Sequence, residues 1–186
     1  MVAAVRVHKA GGPEVLTFED IEVPAPGPGQ VKLKQHASGI NYIDTYFRMG
    51  MYPSPVGMPF VAGNEGAGEV IAVGPGVADL KIGDRVGYVV PLGAYAAERV
   101  LPAERAVPVP HGIELRLAAA VMLQGMTAHY LSHSTFPVKE GDITVVHAAA
   151  GGVGLLLTQM VKRRGGVVVA TTSTTAKAVL AQRARP

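Results

Sequence analysis

Short runs of alternating apolar and polar residues fill the first two-thirds of the chain, each cut off by glycine or proline. Val2 to Val7 and Val31 to Gln35 alternate as half-buried strands do, and Val31-Lys32-Leu33-Lys34 puts its lysines on the solvent face. Gly11-Gly12-Pro13 and the Pro24–Gly29 run read as turns. Asn41 to Gly50 predicts a short helix, followed by a Pro- and Gly-rich loop from Met51 to Gly63. Further strands are expected at Glu69–Val73, in the turn-and-strand run Lys81–Gly87, and at Tyr95–Val100. Many short strands with glycine turns predict a small barrel-like β domain.

The period changes near Glu114. Leu115–Leu123 and Gly125–Ser132 read as helical, and Lys139–Asp142 as a turn. Ile143–His147 reads as apolar on both faces, the pattern of a buried parallel strand. A glycine loop follows, then Val153, Leu156, Leu157, Met160 and Val161 at helical spacing. Gly165-Gly166 ends that helix, Val167–Ala170 reads as a second buried strand, and another helix starts at Thr174. The result is a β-α-β unit.

Composition narrows the function classes. With 186 residues, 48% of them hydrophobic and 17% charged, the chain can bury a core and is not disordered. It has no cysteine, which removes disulfides and thiolate metal sites and leaves the cytoplasm as the default compartment. Met1 to His8 is too short and too soon polar for a signal peptide. The net charge is +3, yet no acid follows Asp142, so Lys162, Arg163, Arg164, Lys177, Arg183 and Arg185 make the last segment basic. Such a segment suits a phosphate-bearing cofactor, a nucleic acid or an anionic membrane. Ile143 to Val161 has the length of a bilayer span but carries Gly151, Gly152 and Gly154 at its centre, each weakening a helix by roughly 1 kcal/mol, so no membrane role is expected.

The glycine loop, Ala148-Ala149-Ala150-Gly151-Gly152-Val153-Gly154, sits between strand and helix and fits the dinucleotide pattern with Ala149 at its first place. Bare backbone lets a pyrophosphate approach, and the helix N-terminus offers N–H groups and partial positive charge. An NAD site would place an acid after the second strand to bond the ribose 2′-hydroxyl. This chain has Thr171, Thr172, Ser173, Thr174 and Thr175 there, with Lys177 beyond, so the hydroxyls and the lysine predict NADPH.

The chain resembles the medium-chain dehydrogenase/reductases, in their zinc-free quinone oxidoreductase (zeta-crystallin-like) branch. The resemblance rests on His8–Val15, Gly39–Tyr46, Gly63–Gly68, Gly83–Val86 and His147–Gly154, in the family's order and spacing. It implies a GroES-like β-rich catalytic domain over residues 1–124. An NADP-binding Rossmann domain, a doubly wound parallel sheet, would begin at 125–186. It also implies that Asn41, Asn64 and Gln124 stand where alcohol dehydrogenases hold zinc. Amides are poor zinc ligands, so no metal is expected. By the same resemblance Asn41, Tyr46 and Tyr52 would serve a quinone or conjugated carbonyl substrate, and Thr127 would lie on the nicotinamide side. Ala149, Gly151, Gly152, Val153, Gly154, Thr171, Ser173 and Lys177 complete the expected cofactor site. The pair His129/His133 reads as one helix face.

The implied activity is NADPH-dependent quinone reduction. The alternatives are an enoyl or alkenal reductase of the same superfamily, or a non-catalytic, crystallin-like or RNA-binding protein. The basic segment lacks aromatics for base stacking, and no nucleic-acid partner is expected. The family's cofactor domain is longer, and after Gln182 the residues leave its pattern. The chain is therefore expected to be a truncated or frameshifted form, binding NADPH weakly, turning over slowly and lacking the family's homodimer surface.

Overall fold

The computed structural model describes residues 1–184; Arg185 and Pro186, from the end read as a truncation, lie outside them. In chain order the elements are β1 Val2–Val7, β2 Leu16–Ile21, β3 Gln30–Gly39, α1 Tyr42–Arg48, β4 Phe60–Val61, β5 Glu65–Val73 and β6 Arg85–Val89. There follow β7 Glu98–Pro102, β8 Ala106–Pro108, α2 Leu115–Tyr130, β9 Ile143–Val146, α3 Gly152–Arg163, β10 Val167–Ala170 and α4 Thr175–Arg183. Two compact units result, Met1–Met122 and one beginning at Leu123.

The first unit holds a five-stranded sheet in the order β7-β3-β5-β6-β8 and a three-stranded sheet, β2-β1-β4. The alternation in β3 holds for Val31 and Leu33, fully buried, and for Lys34, exposed, whereas Lys32 is half-buried and paired with Glu98 at 2.8 Å. With Val70, Val86, Tyr88 and Leu101, Val31 and Leu33 form the main core. Burying each such aliphatic side chain contributes about 1.5–3 kcal/mol. The β3–β5 register shifts between Lys32 and Leu33 and again between Gln35 and Ala37, irregularities of the kind that bend a strand locally and increase its twist.

In the second unit β9 and β10 pair in parallel, Val167 with Ile143 through Ala170 with Val146. Val146 and Val168 pack with Ala149, Leu157 and Ala181. Burial on both faces, expected for these strands, is not what forms. Ile143, Val145, Val167 and Val169 share the other face and are 74%, 56%, 54% and 49% exposed. Leu157 of α3 and Ala181 of α4 pack on the buried face.

The two helical stretches expected on either side of Gln124 are one helix, α2, continued by a π-type turn at Leu131–Thr135. Gly125 does not interrupt it; the penalty of one helical glycine is only about 1 kcal/mol. Among the described residues no helix is long and apolar enough to cross a membrane.

Candidate functional site

The Asn-x-x-Asp spacing at Asn41 to Asp44 builds the start of α1. Asn41 is the extended residue before the helix, and Asp44 reaches back to accept its N–H at 2.8 Å, the acid's half of a capping box. Both residues are 8% exposed. The Asp44 carboxylate takes two more donors: the Tyr95 hydroxyl at 2.7 Å and the Asn64 side-chain amide. Asn64 in turn accepts the Leu92 N–H at 3.2 Å. Asn41 donates from Nδ2 to Glu65 Oε1 at 2.7 Å, and Glu65 is fully buried. The amides at zinc-type positions 41 and 64 therefore each feed a buried carboxylate. Burial, and then the bond to Asp44, push the Tyr95 phenol well above its ordinary range.

Tyr46 and Tyr52 are brought together. Their rings meet edge to face with centroids 5.3 Å apart, and Tyr42, one helical turn earlier, meets Tyr46 the same way at 5.8 Å. Phe47, buried beneath, touches Tyr52 at 5.9 Å. The Tyr46 carbonyl accepts the N–H groups of Met51 and Tyr52 at 2.9 and 3.2 Å, so the loop after α1 is tied to the helix at that residue. Tyr42 was absent from the expected set, although its i, i+4 spacing from Tyr46 was a readable signal. An apolar hollow of about 430 Å³ on this unit, lined by Ala4, Phe18, Ile40 and Tyr95 among others, includes none of Asn41, Tyr46 and Tyr52.

In the second unit the glycine loop and the hydroxyl-rich segment converge at the C-terminal ends of β9 and β10. The fully buried Ala149 donates its N–H to the Thr171 carbonyl at 3.1 Å, and Thr171 donates its own to Val146 at 3.0 Å. Gly151 precedes α3 without a capping side chain, and Gly151 and Gly152 are exposed. The first N–H groups of α3 thus open under bare backbone, an arrangement that receives phosphate oxygens. Gly154 is buried for a different reason: a Cβ there would sit 2.4 Å from the Ala148 carbonyl oxygen and 2.7 Å from the Ala149 Cα. Val153 lies half-buried between them.

Across the loop, Thr174 caps α4, accepting the Lys177 N–H at 3.3 Å, and the Lys177 ammonium donates to Ser173 Oγ at 3.2 Å. Thr171 Oγ1 lies 3.1 Å from His147 Nδ1, a neighbour the residue pattern did not single out. The Gln124 side chain lies against Gly152, where an added Cβ would fall 1.9 Å from its Oε1. Thr127 turns its hydroxyl back onto its own helix, donating to the Leu123 carbonyl at 2.7 Å. His129 and His133 stack at 4.1 Å along one helix face. Among the described residues no three His, Cys, Asp or Glu side chains cluster as metal ligands would.

The alcohol dehydrogenase GroES-like domain family matches residues 27–111. Over 160 residues the chain is 48% identical to a quinone oxidoreductase of Pseudomonas aeruginosa, covering 86% of this chain and 49% of that protein. It is also 48% identical over 162 residues to 2-haloacrylate reductase of a Burkholderia species, covering 84% of this chain and 49% of that one. The crystal structure of Escherichia coli quinone oxidoreductase complexed with NADPH matches 98% of this chain and 56% of its own, with a TM-score of 0.95 at 40% identity. The chain spans about half the length of the curated relatives it matches.

Proposed function

We propose that the chain, similar to quinone oxidoreductases over about half their length, is of the quinone oxidoreductase branch of the medium-chain dehydrogenase/reductases and carries the NADPH and quinone half-sites of such an enzyme. The observation that carries the cofactor choice is the Lys177–Ser173 pair, 3.2 Å apart in an acid-free segment tied to the glycine loop through Ala149 and Thr171. A cation and several hydroxyls favour a 2′-phosphate, and a carboxylate there would repel it. The residues fit the group. Gly151 would leave bare backbone at the start of α3 for a pyrophosphate, with Gly152 set against the Gln124 side chain and Ala149 and Val153 flanking. Thr171, Ser173 and Lys177 would hold the phosphorylated ribose, and Thr127 would face the nicotinamide. When bound, the reduced nicotinamide supplies hydride.

The protein's own part is to bind and orient the acceptor. Tyr46 and Tyr52 offer flat apolar rings for a planar substrate and hydroxyls for its carbonyl oxygen. Asn41 was expected to donate to that oxygen. One of its two amide N–H groups serves Glu65, which fixes the direction of the amide, and in this reading Asn41 and the tyrosines together meet the substrate. A conjugated carbonyl accepts electrons readily, so hydrogen-bond donors suffice where alcohol oxidation needs a Lewis acid. A second reading, reduction of a conjugated alkene, is supported by the likeness to 2-haloacrylate reductase.

The test is NADPH consumption with 1,4-benzoquinone and with a 2-haloacrylate, each repeated with NADH and with added zinc. Quinone reduction preferring NADPH and indifferent to zinc is expected. A preference for NADH, or dependence on zinc, overturns the reading. Lys177→Ala should lower NADPH affinity about tenfold and leave NADH affinity unchanged, as loss of one charge-assisted contact predicts.

A further inference from the structure

Helix α1 has only seven residues, well below the roughly 12–15 at which an isolated helix becomes even marginally stable. Something outside the helix must hold it: Phe47 packs into the core with Val7, Val15 and Phe60, Arg48 bonds Gly11 at the far end, and buried hydrogen bonds fix the first turn. Asp44 receives the Asn41 N–H from the cap residue, the Asn64 amide from the residue just before β5, and the Tyr95 hydroxyl from the loop before β7. Two residues later on the same helix stands Tyr46, whose carbonyl fixes the backbone of Tyr52. The chain of fixation therefore runs from Asp44 to Tyr46 to Tyr52.

We propose that Asp44 is the positioning residue of the tyrosine face: its carboxylate, gathering Asn41, Asn64 and Tyr95, sets where α1 presents Tyr42 and Tyr46 and so where Tyr52 stacks. This rests on the reading that the Tyr46–Tyr52 face takes the substrate, and Asp44 acts on that substrate only through the rings. Three donors on two carboxylate oxygens leave no neutral substitute. In Asp44→Asn one arm becomes a donor, and whichever way it turns, a donor meets a donor. Rotating Asn64 to compensate would strip the Leu92 N–H of its acceptor, and Leu92 is 4% exposed with a positive φ of 61°.

The chain has no tryptophan and six tyrosines, so near-ultraviolet circular dichroism near 280 nm reads tyrosine packing directly. The signal of the cluster is the difference between a protein and its Tyr46→Leu counterpart, taken separately in the wild-type, Asp44→Asn and Tyr95→Phe backgrounds. The expected result is a large difference in wild type, most of it lost with Asp44→Asn and part of it lost with Tyr95→Phe, while far-ultraviolet spectra stay the same. Should Asp44→Asn fail to fold, the Tyr95→Phe pair decides alone. A Tyr46-dependent signal undiminished in the folded variants overturns the proposal.

Kinetics supply the second readout. Asp44→Asn should raise KM for the quinone about tenfold and hold kcat within about twofold, the signature of lost substrate placement. The dichroism needs no turnover, so a chain that never reduces a quinone would sink the functional reading and still leave the role of Asp44 decided.

Discussion

The five-stranded sheet and the two-stranded sheet are built from the same β-branched and aliphatic residues, and their fates differ. Val31, Leu33 and Val70 are fully buried in the first, where β3 and β5 each have strands on both sides. In the second, Ile143, Val145, Val167 and Val169 stay 49–74% exposed, because among the described residues β9 and β10 pair only with each other and carry the apolar cluster on one face. An apolar strand is buried by what surrounds it, and its own pattern reports only what it can tolerate. The contrast carries over to the candidate sites. The tyrosine face rests on a buried network of carboxylates and amides, whereas the glycine loop rests on a sheet with an open side.

The sharpest way to test the contrast is to cut into the enclosed core. Leu33→Ala removes a fully buried side chain and should cost about 3 kcal/mol in denaturant unfolding. A loss below about 1 kcal/mol, the range of exposed sites, would mean that the five-stranded sheet is no better enclosed than the other. Next is Gly154→Ala, which sets a methyl against backbone rather than against a movable side chain. It should cost about 2 kcal/mol and raise hydrogen exchange in β9 and α3, leaving β3 and β5 protected. Equal exchange in both sheets would break the comparison.

The enclosed region also predicts a pH limit. Burial raises the Tyr88 phenol, and burial with the Asp44 bond raises Tyr95, so both stay neutral in the fold beyond the ordinary value of 10.0. For a group raised on folding, the stabilisation is complete below the unfolded value and is lost as pH climbs above it. Unfolding followed between about pH 9 and about pH 11 should show stability falling across that window, less steeply in Tyr95→Phe. A flat profile would mean these phenols are open to water.

Much of this was legible in the residues, and the remainder has physical reasons. Val2–Val7 forms a strand over the expected span, and the loop at Ala148–Gly154 stands between strand and helix as its pattern required. Strand β2 went unread because its side chains are mostly exposed and carry no clean alternation. β4, with two residues, and β8, with three, are too short for any period. The frame around Asp44 was out of reach, since Tyr95 lies 51 positions away and only the folded sheet brings it in. Tyr42 could have been found from spacing alone.

The open side of the second sheet gives a smaller effect on stability and a distinct one on association. Val145→Thr with Val169→Thr changes two side chains that face water, so stability should stay within about 0.5 kcal/mol. Binding of a hydrophobic dye, and self-association by light scattering, should both fall, because the change removes part of a contiguous apolar patch. Unchanged dye binding would show that this face is already covered.

Ala148 supplies the smallest and most local prediction. It opens the glycine loop at a positive φ of 50°, a left-handed conformation that costs an L-residue roughly 1–2 kcal/mol. Ala148→Gly relieves that cost, but glycine loses about 0.5–1 kcal/mol more in backbone entropy on folding. The balance is a gain of about 0.5 kcal/mol. The side chain is exposed, so no packing is lost. The loop's shape should persist, since Gly151 still donates to the carbonyl of residue 148 at 2.8 Å and Ala149 still donates to Thr171. Calorimetric NADPH affinity should therefore change less than twofold while the unfolding midpoint rises slightly. If affinity collapses as stability rises, the left-handed alanine is holding the loop in its binding shape, and the strain belongs to the site rather than to the turn.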